Sequence, residues 1–272
     1  MHKGNYFLGW AAYAHLHKVN RCFVTFHGLH KRKKDISVNE WILDSGGFSW
    51  QVKGIAYPDT PTEYAEKIER WSHCGRLLGA VSQDIMPVSG ASMDECHTRT
   101  IENYVELRQA ARKLTPDVHI LPAIQGTWPH EYADHVKQYG KLLPQGCWVC
   151  VGSIVPHSSN YPRLVATFRA IKEVRPDLRI HGLGLKIAAI KQQRVRDFLY
   201  TADSCGWTFG FMQELQCTLA EYRQGLRPKK NTMDGQLEYI GRYLKELDSY
   251  CDEPTEPIHD CGKFLSAMRG EV

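Results

Sequence analysis

The sequence predicts an α/β chain folded as one compact, parallel, eight-stranded (β/α)8 barrel with an irregular helical segment towards its C-terminal end. Three observations carry this. Short apolar runs alternate with longer segments of helical period along most of the chain. The apolar runs are almost continuous, as strands buried on both faces require. The length, 272 residues, suits a single closed barrel of the TIM type. An open, doubly wound parallel sheet is the alternative architecture.

Seven candidate strands can be taken in order: CFVTFHG (22–28), WILDSGGF (41–48), LLGAVSQDI (77–85), HILPAIQG (119–126), CWVCVGSIV (147–155), RIHGLGL (179–185) and FLYTADS (198–204). An eighth is expected either near the start of the chain or after Trp207. Amphipathic segments fall between them at 61–74, 93–114, 129–143, 161–174 and 187–199, each with apolar residues at three- and four-residue steps. Thr60-Pro61-Thr62-Glu63 offers a capping threonine, Pro at the first helical position and an acid in the first turn. Thr127-Trp128-Pro129-His130-Glu131 is expected to start its helix in the same way. A further amphipathic stretch covers 235–250, before a Pro- and acid-rich tail. With no linker, repeat or low-complexity segment, residues 1–272 form one domain.

Composition narrows the function classes. Hydrophobic residues at 43% and charged residues at 24% describe a globular protein with a sizeable core, not a disordered chain. No apolar run approaches the roughly 20 residues of a membrane span, and the first residues lack the pattern of a secretory leader. A cytoplasmic location is therefore expected. Nine cysteines, an odd number scattered along a chain of this size, predict reduced thiols over a disulfide framework. A net charge of +4 permits a polyanionic partner without requiring one.

The chemistry-bearing residues gather at the ends of the apolar runs: Asp44-Ser45-Gly46-Gly47, Gln83-Asp84, Gln125-Gly126, Gly152-Ser153, Gly182-Leu183-Gly184 and Asp203-Ser204. In a parallel barrel those ends face one mouth. A carboxylate entering such a mouth from an apolar strand is costly unless it is paired or reactive. A single strand-end Asp can equally be a helix cap; three with a Gln and Gly-rich tips point to a pocket. Two carboxylates facing a sugar can act as nucleophile and proton carrier. Three can also hold a divalent ion, so a metal-dependent barrel hydrolase or lyase built on Asp44, Asp84 and Asp203 is a competing reading. A non-catalytic nucleic-acid-binding barrel is a third.

The motifs LDSGGF (43–48), SQDIM (82–86), AIQG (123–126), VCVGSI (149–154), HGLGL (181–185) and TADSCGW (201–207) resemble, in order, those of the guanine transglycosylases. Some of these enzymes act on tRNA. The present chain is closer to the DNA-acting, DpdA-type 7-deazaguanine transglycosylases of phages and DNA-modification islands. The resemblance implies that guanine in a nucleic acid, with DNA favoured and tRNA as the alternative, is exchanged for a free 7-deazaguanine base such as 7-cyano-7-deazaguanine. It implies Asp203 as the nucleophile at C1′ and Asp44 as general acid/base. Asp84 and Gln125 would bind the polar edge of the purine, with Ser45, Gly46 and Gly152 beside it and Gly182 and Gly184 as the pocket floor. It also admits a homodimer.

The chemistry requires no cofactor. The Cys-x-Cys-x-x-Cys cluster and later histidine of bacterial tRNA enzymes are missing; Cys217, Cys251, His259 and Cys261 are the residues from which a Cys3His zinc site would have to be drawn. Nucleic-acid contacts are expected from two basic clusters, one containing Lys33 and Lys34 and the other Arg227, Lys229 and Lys230, with Trp50, Trp128 and Trp207 as stacking candidates.

Overall fold

Nine parallel strands are found among the residues described by the computed structural model, which are 1–10, 13–87, 91–115, 117–224 and 232–253, with the side chains of 216–223 outside that description. The strands are β1 (Tyr6–Gly9), β2 (Arg21–Thr25), β3 (Glu40–Asp44), β4 (Arg76–Val81), β5 (His119–Leu121), β6 (Ala123–Ile124), β7 (Trp148–Val151), β8 (Arg179–Gly182) and β9 (Leu199–Ser204). Their order is β5-β4-β3-β2-β1-β9-β8-β7-β6. The two ends of that list are halves of one stave. Pro122, between β5 and β6, has no N–H to give a ladder. Before it, Leu121 accepts from Ser82 N at 2.9 Å; at it, the Pro122 carbonyl turns to the other neighbour and accepts from Cys150 N at 2.9 Å. Eight staves thus form a barrel interrupted only at a proline. The eighth strand lies at the start of the chain, as β1.

The helices are α1 (Phe26–Leu29), α2 (Gly47–Gln51), α3 (Pro61–Ser72), α4 (Met93–Leu114), α5 (Pro129–Tyr139), α6 (Tyr161–Val174), α7 (Ile187–Ile190), α8 (Gln193–Arg196), α9 (Gly206–Arg223) and α10 (Met233–Asp248). Thr60 caps α3 as expected: its hydroxyl accepts from Glu63 N at 3.2 Å, and the Glu63 carboxylate accepts from Thr60 N at 2.8 Å. Such a cap contributes about 1 kcal/mol. At α5 the expectation is corrected. Trp128 holds the cap position, and Glu131 alone satisfies the Thr127 and Trp128 N–H groups, at 2.7 Å each. The single helix expected over 187–199 is instead two turns, because Arg196 Nη1 donates to the carbonyls of Ile190 and Lys191 at 2.8 and 2.9 Å and so ends the first turn.

Strand side chains sort into two layers. Phe7, Phe23, Ile42, Val81, Leu121, Trp148 and Cys150 fill the barrel, and residues such as Leu8, Val24, Leu43, Ile180 and Ala202 pack outward against Tyr64, Tyr104, Leu164 and Phe168 of the helices. Each buried aliphatic or Phe side chain contributes ~1.5–3 kcal/mol. The alternation is broken once in β9, where Ile180 pairs with Leu199 but His181 pairs with Thr201, skipping Tyr200. Leu199 and Ala202 consequently both face outward, and Asp203 faces inward. Without this bulge a period of two would aim Asp203 at the helices. A similar shift in β4 skips Leu78. No described helix is long and apolar enough to cross a membrane.

Candidate active site

At the C-terminal end of β3 the chain turns sharply into α2. Asp44 Oδ2 accepts the N–H of Gly46 at 3.1 Å, two residues on, which closes the turn. Gly46 has φ +80°, a conformation that suits glycine. Gly47 must also be glycine, since a Cβ there would lie 2.4 Å from the Tyr57 hydroxyl and 2.7 Å from Asp84 Oδ1. The Asp-Ser-Gly-Gly motif therefore builds a tip that presents one half-buried carboxyl and lets a second pack beside it. Burial, and then the charges of Asp84 and Asp203, push the Asp44 carboxyl up to about 7.

Asp84 follows β4 and is buried. Its Oδ1 lies 3.0 Å from the Tyr57 hydroxyl and 3.4 Å from Ser45 Oγ, and its Oδ2 accepts from Gln125 Nε2. Gln51 Nε2 donates to the Asp84 carbonyl at 2.7 Å and its Oε1 accepts from Met86 N at 2.8 Å, pinning the strand tip. Burial raises the Asp84 carboxyl above the ordinary carboxylate range, against the pull of these donors. Gln125 is fixed from behind: Ser153 Oγ donates to its Oε1 at 2.6 Å, His135 Nδ1 accepts its N–H at 2.9 Å and His97 Nε2 lies 2.9 Å from its carbonyl. His97 and His135 stack with centroids 4.0 Å apart, and Ser153 has φ +54°, strain of the kind found at functional sites. A Cβ on Gly152 would lie 2.3 Å from Gln125 Nε2. Asp84 and Gln125 thus offer an acceptor and a donor side by side, each with hydrogen-bonding capacity left for a flat polar edge.

Asp203 enters from β9 and is also buried. Its Oδ1 lies 3.1 Å from His181 Nε2 and accepts from Gly184 N at 3.0 Å. Gly184 has φ +66°, which turns its N–H towards the carboxylate. The capping role open to a strand-end Asp falls to Ser204, whose Oγ accepts from Gly206 N at 2.8 Å at the start of α9. Asp203 is left for the mouth.

The structure therefore brings together Asp44, Ser45, Gly46, Asp84, Gln125, Gly152, Gly184 and Asp203. It does not bring Gly182 to them, since a Cβ there would meet Leu185 at 2.4 Å, on the helix side of the wall. Lys33 and Lys34 are also elsewhere. The Lys33 carbonyl accepts from Arg70 Nη2 at 3.1 Å, and Arg70, which pairs with Asp35 at 2.6 Å, lies in the last turn of α3 at the opposite end of the barrel. Trp207 is buried, donating to the Gly9 carbonyl at 2.9 Å, and Trp50 is half-buried with its ring 4.3 Å from that of His27. Trp128 is 54% exposed, with the Arg163 guanidinium 4.3 Å from its ring centroid. Arg227, Lys229 and Lys230, together with His259, Cys261 and the side chain of Cys217, lie outside the described residues. Cys251 is buried in the segment that follows α10.

The residues that sequence reasoning missed are Tyr57, Gln51, His97, His135 and His181. None stands in a strand-tip motif except His181, which heads His-Gly-Leu-Gly. Phe48, Val52, Ile55, Trp128, Val155, Phe209 and Met212 are the exposed large apolar residues among those described. All seven follow the C-terminal ends of β3, β6, β7 or β9, on the same end of the barrel as the carboxylates.

A family model described as "DpdA: DeoxyPurine in DNA protein A" matches residues 3–249. None of the curated proteins compared with the chain matches it.

Proposed function

The chain belongs to the DpdA family, and on that premise we propose that it exchanges guanine in DNA for a free 7-deazaguanine base, such as 7-cyano-7-deazaguanine, through a covalent bond between Asp203 and the sugar. The observation that carries this reading is the convergence of three carboxyls on one barrel mouth, one of them held at about 7 by burial and by the other two.

The target nucleoside must leave its stack, because C1′ and the base edge are inaccessible inside a duplex. Trp128 and Arg163, with the other exposed apolar residues of the mouth, suit the displaced strand, since aromatic and guanidinium planes stack on bases regardless of sequence. Asp84 and Gln125 engage the polar edge of the purine. Asp203 Oδ2 attacks C1′ as the bond to N9 breaks, and Asp44, half protonated near neutrality, supplies the proton that neutralises the departing guanine. The incoming deazaguanine then gives its N9 proton to Asp44 and displaces Asp203 from C1′. Two inversions leave the configuration unchanged.

The test is incubation with radiolabelled guanine and, separately, duplex DNA, single-stranded DNA and tRNA. Label retained in DNA through denaturing purification, in the presence of chelator, is the expected result. Label confined to tRNA would move the substrate. Exchange lost to chelator and restored by Mg²⁺ or Mn²⁺ would favour metal-dependent chemistry at the same carboxylates.

A further inference from the structure

The Trp148, Thr201 and His181 side chains form a buried string that ends on Asp203. Trp148 Nε1 lies 2.9 Å from Thr201 Oγ1, which lies 2.8 Å from His181 Nδ1, and His181 Nε2 lies 3.1 Å from Asp203 Oδ1. All three are buried in the barrel interior. The His181 ring is stacked on Phe23, with centroids 5.3 Å apart, and meets Phe7 and Trp148 edge-on at 6.2 and 6.3 Å.

The direction of the string follows from the donors. An indole N–H can only donate, so Thr201 Oγ1 accepts from Trp148. The Thr201 proton then has one ring nitrogen within reach as acceptor, His181 Nδ1. Any other arrangement leaves a buried donor unused, which costs about 1–3 kcal/mol. His181 therefore carries its proton on Nε2 and donates it to the Asp203 carboxylate. Together with Gly184 N–H, two donors hold Oδ1, while no described group holds Oδ2.

We propose that this string is a positioning device for the nucleophile. Trp148 and Thr201 set the tautomer of His181, and His181 with Gly184 locks Oδ1 so that Oδ2 is the atom that reaches C1′. The inference rests on the function proposed above and adds residues to it. In the first half-reaction the Oδ2–C1′ bond forms as C1′–N9 breaks, with Oδ1 becoming the ester carbonyl. In the second, Oδ2–C1′ breaks as the new C1′–N9 bond forms, and the electron pair returns to a carboxylate whose Oδ1 already has two N–H donors. The string thus serves aim in the first step and leaving-group stability in the second. Thr201 and Asp203 are both turned inward by the β9 bulge, so one backbone irregularity delivers the string and the nucleophile together.

The experiment compares wild type with Thr201→Val, which keeps shape and loses the hydroxyl, and Thr201→Ser, which keeps the hydroxyl. Two measurements are made on each, the ¹⁵N spectrum of His181, assigned by its loss in His181→Phe, and the rate of covalent adduct formation with a guanine-containing DNA strand. Expected are a single Nε2–H tautomer in wild type and Thr201→Ser, and a mixture in Thr201→Val. Adduct formation should fall several-fold, up to about tenfold, in Thr201→Val, because only the Nε2–H fraction of the mixture still holds Oδ1, and recover in Thr201→Ser. An Nδ1–H tautomer in wild type, or equal adduct rates in Thr201→Val and wild type, would overturn the proposal. If wild type forms no adduct with any nucleic acid, the proposed function falls instead, and the tautomer measurement alone decides whether the string orients Asp203.

Discussion

Asp44→Asn replaces the one mouth carboxyl whose ionisation is opposed by both burial and two neighbouring charges. Its ordinary value is 3.8, and in the folded chain it sits at about 7. Because the folded value is the higher one, folding favours the protonated form. The corresponding stability is intact below about pH 4 and is lost as pH rises through about 7. At about 1.4 kcal/mol per pH unit, the ceiling is about 4 kcal/mol at alkaline pH, and partial solvent access lowers the expected effect to about 2 kcal/mol. Asparagine has the same shape, keeps an oxygen for the Gly46 N–H and never ionises. In urea unfolding the variant should match wild type at about pH 4 and exceed it by about 2 kcal/mol at about pH 8, while base exchange disappears. A difference independent of pH, or a variant less stable than wild type at the higher pH, would refute the picture of Asp44 as a carboxyl held up by its neighbours.

Other perturbations separate the parts of the mouth. Tyr57→Phe removes the hydroxyl beside Asp84 and Ser45 and should weaken guanine binding, read by calorimetry, by about 1–3 kcal/mol. Gly47→Ala sets a methyl group 2.4 Å from Tyr57 and 2.7 Å from Asp84; circular dichroism should show the fold retained and calorimetry guanine binding lost. Arg163→Ala should lower the salt dependence of DNA binding by about one unit of slope, whereas Trp128→Ala should weaken binding to single strands and leave that slope unchanged.

Much of the fold was legible because parallel strands buried on both faces announce themselves as apolar runs. The helices over 93–114 and 161–174 match α4 and α6 to the residue, since their apolar spacing is unbroken and Ser92 and Asn160 cap them. The strands themselves end earlier than the runs, at Asp44, Val81 and Gly182, because the polar tips leave the ladder to form the site. Helix α9 was not foreseen. Gly206 and Gly210 lie in its first turns and its early residues are apolar on most sides, so it has no single buried stripe. Gly210 instead permits close contact with α10, where a Cβ would lie 2.1 Å from the Tyr239 hydroxyl.

The candidate site divides in the same way. Asp44, Asp84, Gln125 and Asp203 could be picked out because each ends an apolar run. Gly182 lies apart from these groups because alternation sends it outward, and Lys33 and Lys34 lie at the other end because a charge run carries no record of which end of the barrel it occupies. Tyr57, His97 and His135 sit on a loop and on helices, and reach the site only through contacts that the fold creates. The bulge at Tyr200 leaves no mark in composition, yet it decides which way Asp203 faces.

The most direct test of the account is to trap the covalent complex with a guanine-containing DNA strand, without incoming base, and to map the modified peptide by mass spectrometry. The sugar should be found on Asp203, and Asp203→Asn should yield none. An adduct on Asp44, or one that persists in Asp203→Asn, would contradict it.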